Sequence, residues 1–345
     1  MPETLSSPDQ AAASSAEGPF PAGRPSTPVG ARIGSVALAV PETVVGNAPI
    51  AERLGVDEDW IASRTGIRER RVIQPEERVS DLATRAARAA LERSGLDPAD
   101  LDLILVGTIS QDELTPGTAP LVAHELGAPQ ASALDVGAAC TAFLGAVSLA
   151  AGQIEAGRSR NALVVGIDAL RRWTDPDDKR TAGLFGDGAG AVVMTASEDR
   201  SGVGPIPIHS DGSQAWTIYA DREDGMLHMQ GQDTYQQAVN RLCEVSLEAL
   251  ELAGLAVEDI DLFVYHQANQ RILKAVGERL GLPAERVVDV IETYGNTSAG
   301  SIPIALAEAE ADGRLHDGTK VLLGAIGSGL VWGGGVVEWG GIGGS

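Results

Sequence analysis

Short apolar runs alternate with segments of helical spacing from Ala31 almost to the C-terminus. Residues 32–40, RIGSVALAV, read as a strand, and Ile50–Ser63 as one or two short helices. Val79–Ser94 sets Leu82, Ala86, Ala89 and Ala90 on one side, the spacing of an amphipathic helix. Leu101–Thr108, LDLILVGT, is a short apolar run, best read as a buried parallel strand. Ala119–Leu126 reads as a short helix, Asn161–Ile167 as another buried strand, and Leu184–Met194 as a glycine turn entering a strand. The pattern then repeats. Thr234–Gly254 is a long amphipathic helix, Ile260–Tyr265 a strand and Asn269–Leu280 a helix, with strands over Thr319–Ala325 and Val331–Trp339.

The two series match in detail. DLDLILVGT at Asp100 resembles DIDLFVYHQ at Asp259, an offset of 259 − 100 = 159. ALVVG at Ala162 resembles VLLGA at Val321, again 321 − 162 = 159. A repeat of this length is too long for a solenoid and predicts a duplicated α/β domain. The expected organisation is a disordered tail over 1–30, one half over 31–200 and a second over 201–345, with a site at the pseudo-dyad between the halves.

Composition narrows the class. Residues 1–30 are rich in Ala, Pro, Ser and Gly and lack the basic start and apolar core of a signal peptide. No run approaches the roughly 18 apolar residues of a membrane span, so the reading is a soluble, cytoplasmic protein. The net charge of −22 argues against nucleic-acid binding, which needs a basic surface. Anionic ligands would need local positive charge. Two places offer it: Arg64, Arg68, Arg70 and Arg71, and Arg171, Arg172, Lys179 and Arg180. A solvated face is the usual meaning of either run. The two cysteines, Cys140 and Cys243, are far apart and in no metal-ligand spacing, which predicts neither a disulfide framework nor a metal site.

Candidate chemistry begins at LDVGAACTAFLGAVSL, Leu134–Leu149. Cys140 stands where an apolar run passes through small residues into a helix-like segment. A thiol at a first helical turn faces the positive end of the dipole, which favours the thiolate. The same stretch is also compatible with a small buried cysteine in an Ala-rich helix. The second half supplies His266, directly after the matching strand, and Asn296, in the turn TYGNTSAGSIP near the counterpart of the cysteine turn. A thiolate can take up an acyl group. A histidine and an asparagine can donate hydrogen bonds to a thioester oxygen and stabilise an enolate.

The matching stretches DWIASRTGIRERR, DVGAACTAF, LFGDGAGAVV, YHQANQRI, YGNTSAGSIP and IGSGLVWG resemble 3-oxoacyl-(acyl-carrier-protein) synthase III, of the thiolase-like superfamily. The resemblance implies an α/β fold of five layers, αβαβα, built from two duplicated halves, and a homodimer. It implies catalytic Cys140, His266 and Asn296, with an oxyanion hole from the backbone N–H groups of Cys140 and Ser328. Trp60 and Lys179 match residues that sandwich the coenzyme A adenine, Arg64 and Thr65 a phosphate-side contact, and Asn269 a position near the pantetheine arm. Lys179 stands where an arginine is common, which predicts weaker stacking. Leu114 and Thr115 match a loop that reaches the partner's acyl pocket, and Phe185 should line that pocket. Arg271 keeps the family's basic carrier-docking patch, whereas Gln236 and Glu278 replace lysines often found there.

The expected reaction is decarboxylative condensation of a short acyl-CoA starter with malonyl-acyl carrier protein, beginning fatty-acid or polyketide synthesis. Coenzyme A thioester is a substrate, and no cofactor or metal is implied. The alternatives are acyl transfer to a carrier protein, alcohol or amine without condensation, and a non-catalytic subunit. Asn296 argues against the first and the intact triad against the second. Alkylation of Cys140 by iodoacetamide at neutral pH would separate a nucleophile from an inert thiol.

Overall fold

The computed structural model describes residues 29–198 and 202–340. The tail expected over 1–30 lies outside the described residues except for Val29 and Gly30. In chain order the first half contains β1 (Gly30–Ala39), β2 (Val44–Gly46), α1 (Ala48–Leu54), α2 (Glu58–Thr65), β3 (Glu69–Arg71), α3 (Val79–Ser94) and β4 (Leu103–Gly107). It continues with α4 (Thr118–Leu126), β5 (Ser132–Val136), α5 (Ala142–Glu155), β6 (Asn161–Asp168) and β7 (Gly188–Ser197). The second half contains β8 (Ile208–Ser210), β9 (Ile218–Ala220), β10 (Leu227–Met229), α6 (Gly231–Ala253) and β11 (Leu262–Tyr265). It ends with α7 (Gln270–Leu280), α8 (Ile291–Tyr294), α9 (Ser301–Ala311), β12 (Lys320–Gly327) and β13 (Val331–Glu338).

The larger sheet has the order β1-β7-β6-β4-β5, and its counterpart β11-β12-β13-β8. The duplication extends to register. β4 and β6 pair in parallel with Leu103 opposite Ala162. β11 and β12 pair in parallel with Leu262 opposite Val321, each partner 159 residues later. The helices α3 and α6 end on left-handed glycines, Gly95 and Gly254, with the same separation.

Three apolar clusters define five layers. Phe143, Leu144, Val147 and Ala150 of α5 pack with Ile302, Ala305 and Leu306 of α9 between the sheets, touching Val164 and Val192 on one side and Val264 and Leu323 on the other. Leu82, Ala86 and Ala90 of α3 and Val122 of α4 cover the outer face of the larger sheet. Leu242 and Val245 of α6 with Ile272 and Val276 of α7 cover the outer face of the smaller one. This is the αβαβα order. The middle layer needs very close approach. A Cβ on Gly166 would lie 2.2 Å from the Ala299 carbonyl oxygen, so only glycine fits where β6 passes the turn before α9.

The apolar run ahead of Cys140 becomes β5, at the sheet edge, and Leu134 is 60 % exposed. Among the described residues no helix is long and apolar enough to cross a membrane.

Candidate active site

The two halves meet at a pair of matched turns. One is the short 3-10 turn Ala139–Thr141 before α5; the other is Ser298–Gly300 before α9, 159 residues on. Each opens on a non-glycine residue in the left-handed region, Ala139 at φ 46° and Ser298 at φ 50°. Such a backbone costs about 1–3 kcal/mol and persists only where surrounding packing fixes it. Here the turns brace one another: the Ser298 hydroxyl donates to Cys140 Sγ at 3.3 Å. Gly327, at the end of β12, closes the third side. A Cβ there would stand 2.8 Å from the Cys140 backbone nitrogen.

The expected lowering of the Cys140 pKa is outweighed. Burial pushes the thiol up to about 12, the nearby Asp168 carboxylate adds to the rise, and the Ser298 hydroxyl and the thiol's own backbone N–H act against it. The helical residues of α5 begin only at Ala142, two positions past the sulfur.

His266 follows the last residue of β11 and is 1 % exposed. Burial holds its pKa down at about 3, so the ring is neutral at physiological pH. Its Nδ1 lies 2.6 Å from Ser301 Oγ. Asn296 is fixed at three points. Its N–H donates to the Leu184 carbonyl, its own carbonyl accepts from Gly186, and its side-chain Oδ1 accepts the Ser298 N–H at 2.9 Å. With Oδ1 engaged, the amide NH2 is the group left for a ligand.

Cys140, His266 and Asn296 all line one cavity of about 570 Å³. The same wall carries Trp60, Arg64, Thr65, Lys179, Phe185, Asn269, Arg271 and Ser328. Near the mouth the Arg64 guanidinium stacks 4.3 Å from the centre of the Trp60 ring. Arg271 lies 5.7 Å from the Tyr235 ring. The buried end is apolar, formed by Phe185, Leu170, Leu184 and Leu227.

Several of these side chains are already occupied by the protein. The Thr65 hydroxyl donates to the Ile61 carbonyl and accepts from Ile67 N–H. Asn269 caps α7 by accepting from Arg271 N–H and donates to the Arg64 carbonyl. The Ser328 hydroxyl donates to the Ile218 carbonyl at 2.6 Å. Leu114 and Thr115 do not join the cavity of their own chain, and Leu114 is 98 % exposed.

The basic runs divide. Arg64, Lys179 and Arg180 face the cavity, whereas Arg68 pairs with Glu292 on the surface. Arg70 is fully buried and donates to the Val45 and Gly183 carbonyls. It therefore struts the loop that carries Phe185 and holds Asn296.

Three contributors were missed in the sequence. Asp168, at the end of β6, is completely buried and accepts hydrogen bonds from Thr108, Ser110, Ile109 N–H and Ala299 N–H. Burial raises its pKa, against those donors. Ser298 and Ser301 both stand in the TYGNTSAGSIP turn, which the sequence offered only for its asparagine. The offset of 159 was the available signal, since it carries Ala139 onto Ser298.

Two segments match models of 3-oxoacyl-[acyl-carrier-protein] synthase III: residues 134–212 the main model and residues 250–339 its C-terminal model. A beta-ketoacyl-[acyl-carrier-protein] synthase III of Listeria innocua is 43 % identical over 301 residues, 87 % of this chain and 96 % of the relative. The chain belongs to the 3-oxoacyl-[acyl-carrier-protein] synthase III family. Within that family, the crystal structure of the Aquifex aeolicus synthase superposes with a TM-score of 0.88 at 40 % identity, covering 90 % of this chain and all of the other. A priming β-ketosynthase from the R1128 polyketide biosynthetic pathway also superposes at 0.88, with 36 % identity over 93 % of this chain and 99 % of that one. The thiolase-like fold expected from the sequence is therefore correct, and the enzyme is a ketoacyl synthase of the transferase class.

Proposed function

We infer that this synthase III primes acyl-chain synthesis by decarboxylative Claisen condensation. Cys140 gives up its proton, and the thiolate attacks the carbonyl of a short acyl-CoA. The C–S bond to coenzyme A breaks as the acyl-cysteine thioester forms, and the expelled coenzyme A thiolate takes up the proton that Cys140 lost. A malonyl thioester on acyl carrier protein then loses carbon dioxide. The electron pair of the broken C–C bond forms an enolate, whose carbon attacks the acyl-cysteine. The product is a β-ketoacyl carrier protein, and Cys140 is free again.

One observation carries this reading: His266 and the Asn296 amide share the cavity with the sulfur, and His266 is neutral. A hydrolase would ask its histidine to accept a proton. A ring held at about 3 is a poor base but serves as a donor to a developing enolate oxygen. The backbone N–H groups of Cys140 and Ser328 are assigned to the acyl carbonyl. Trp60, Arg64 and Lys179 are assigned to the nucleotide end of coenzyme A. Because Thr65 and Asn269 already use their polar atoms, their contribution is to shape the passage. Arg271 receives the acidic carrier. Coenzyme A enters and leaves with substrate, so the chemistry asks for no resident cofactor.

We also assign a homodimer and a cytoplasmic location. The exposed edge β5, with Leu134, offers an unpaired ladder to a second copy. Leu114 and Thr115 would then complete the neighbour's acyl pocket.

Intact-protein mass after incubation with a panel of acyl-CoAs tests the first half-reaction. The expected result is an acyl adduct on the wild type and none on Cys140→Ala. An adduct on both proteins, or on neither, would overturn the nucleophile assignment.

A further inference from the structure

We propose that Ser301 is a positioning residue that fixes His266 as the tautomer protonated on Nε2, so that the ring presents an N–H to the cavity. The inference deepens the condensing mechanism and rests on it.

A serine hydroxyl has one proton to give and two lone pairs. Ser301 Oγ accepts the backbone N–H of Gln267 at 3.3 Å, which takes one lone pair. Its only other hydrogen-bond neighbour among the described residues is His266 Nδ1, at 2.6 Å. The hydroxyl proton therefore has a single acceptor available, the Nδ1 lone pair. A neutral imidazole that accepts at Nδ1 carries its proton on Nε2. Ser301 is 1 % exposed at the first position of α9, so no bulk water competes for the contact. Gln267 is itself immobilised: its side-chain amide donates to the Tyr265 and Val288 carbonyls, and its Oδ-equivalent carbonyl Oε1 accepts Val290 N–H.

The consequence reaches the reacting atoms. Asn296 gives Oδ1 to Ser298 N–H and keeps its NH2 for a ligand. With Nε2 protonated, the histidine and the asparagine both offer donors to one thioester oxygen. With Nδ1 protonated, Nε2 would aim a lone pair at that oxygen and oppose the enolate. The first half-reaction, acylation of Cys140, does not draw on this pair.

The test combines a spectroscopic readout with a separation of half-reactions. In wild-type protein carrying 15N-histidine, the ring nitrogens of residue 266 are assigned by their absence from His266→Gln. The expected spectrum has a pyrrole-type, protonated Nε2 and a bare, hydrogen-bonded Nδ1. A protonated Nδ1 would overturn the proposal whatever the enzyme's activity. Ser301→Ala should shift the Nδ1 resonance away from its hydrogen-bonded position. It should slow decarboxylation of a malonyl thioester by on the order of 10–100-fold, less than the loss of a whole oxyanion donor, and leave acyl-Cys140 formation within about threefold of wild type. Ser301→Thr, which keeps the hydroxyl, should restore both the shift and the rate. Equal loss of acylation and decarboxylation in both variants would indicate a packing role and sink the proposal. Failure of the condensing mechanism itself is distinguishable, because the wild type would then release no carbon dioxide while its tautomer stayed readable.

Discussion

Replacing Ser298 by alanine removes the hydroxyl that donates to the Cys140 sulfur and that also lowers the pKa of the buried Asp168. The backbone tolerates the change, because Ala139 already holds an alanine at φ 46° in the matched turn, beside 50° for Ser298. The hydroxyl donates to the sulfur at 3.3 Å and lowers its pKa, so its loss raises the pKa further. A hydrogen bond to a charged group contributes about 1.5–3 kcal/mol. At about 1.4 kcal/mol per pKa unit, the shift is ~1–2 units. Below the thiol's pKa the thiolate fraction falls by the same factor, so alkylation slows ~10–100-fold at any fixed pH. The assay is the rate of Cys140 carbamidomethylation by iodoacetamide across a pH series, with peptide mapping to separate Cys243. Equal rates in wild type and a well-folded Ser298→Ala, at every pH, would refute the claim that this hydroxyl favours the thiolate.

Other consequences follow from the same geometry. Gly327→Ala would place a Cβ 2.8 Å from the Cys140 nitrogen; overpacking of this kind costs ~1–3 kcal/mol, and acyl-Cys140 formation should fall ~10–100-fold, whereas near-normal acylation would deny the tight turn a role. Asp168→Ala strands the Thr108 and Ser110 hydroxyls and the Ile109 and Ala299 N–H groups; at about 1–3 kcal/mol for each buried group left unpaired, urea unfolding should show a loss of ~3 kcal/mol or more, and Asp168→Asn a smaller one. His266 protonates at about 3 when folded and near 6.5 when unfolded, so the unfolded chain binds the proton first and the histidine's share of stability is lost as pH falls through that window. His266→Gln should therefore be less acid-sensitive than wild type by up to ~4 kcal/mol between those limits, read by denaturation at each pH; parallel pH curves for the two proteins would contradict the buried neutral ring.

Much of the fold was legible because its signals are local or periodic. The helix α3 begins and ends where its apolar spacing and Gly95 put it. β4 and β11 are unbroken apolar runs, β6 and β12 are apolar between their end residues, and the repeat of 159 residues reappears in their pairing register. The apolar run ahead of Cys140 forms the edge strand β5, and composition alone does not say whether a strand has a second partner. The short β8 and the β9–β10 hairpin carry too few residues for periodicity to mark them. In the site, the positions of Cys140, His266 and Asn296 could be read from matched places in the two halves. Their electrostatics could not. The direction of the Cys140 shift depends on burial beneath the other half and on Asp168, which the chain brings together only on folding. Asn269 and Thr65 matched a ligand passage, yet their polar atoms are consumed by helix ends, a detail of local geometry.

The most direct test of the central claim counts carbon dioxide against product in a single turnover. Wild-type enzyme loaded as acyl-Cys140 and mixed with malonyl-acyl carrier protein should release one carbon dioxide for each β-ketoacyl product. Asn296→Ala should load normally and then release almost none. Discharge of the acyl-cysteine without carbon dioxide, or wild-type release from Asn296→Ala, would contradict the account.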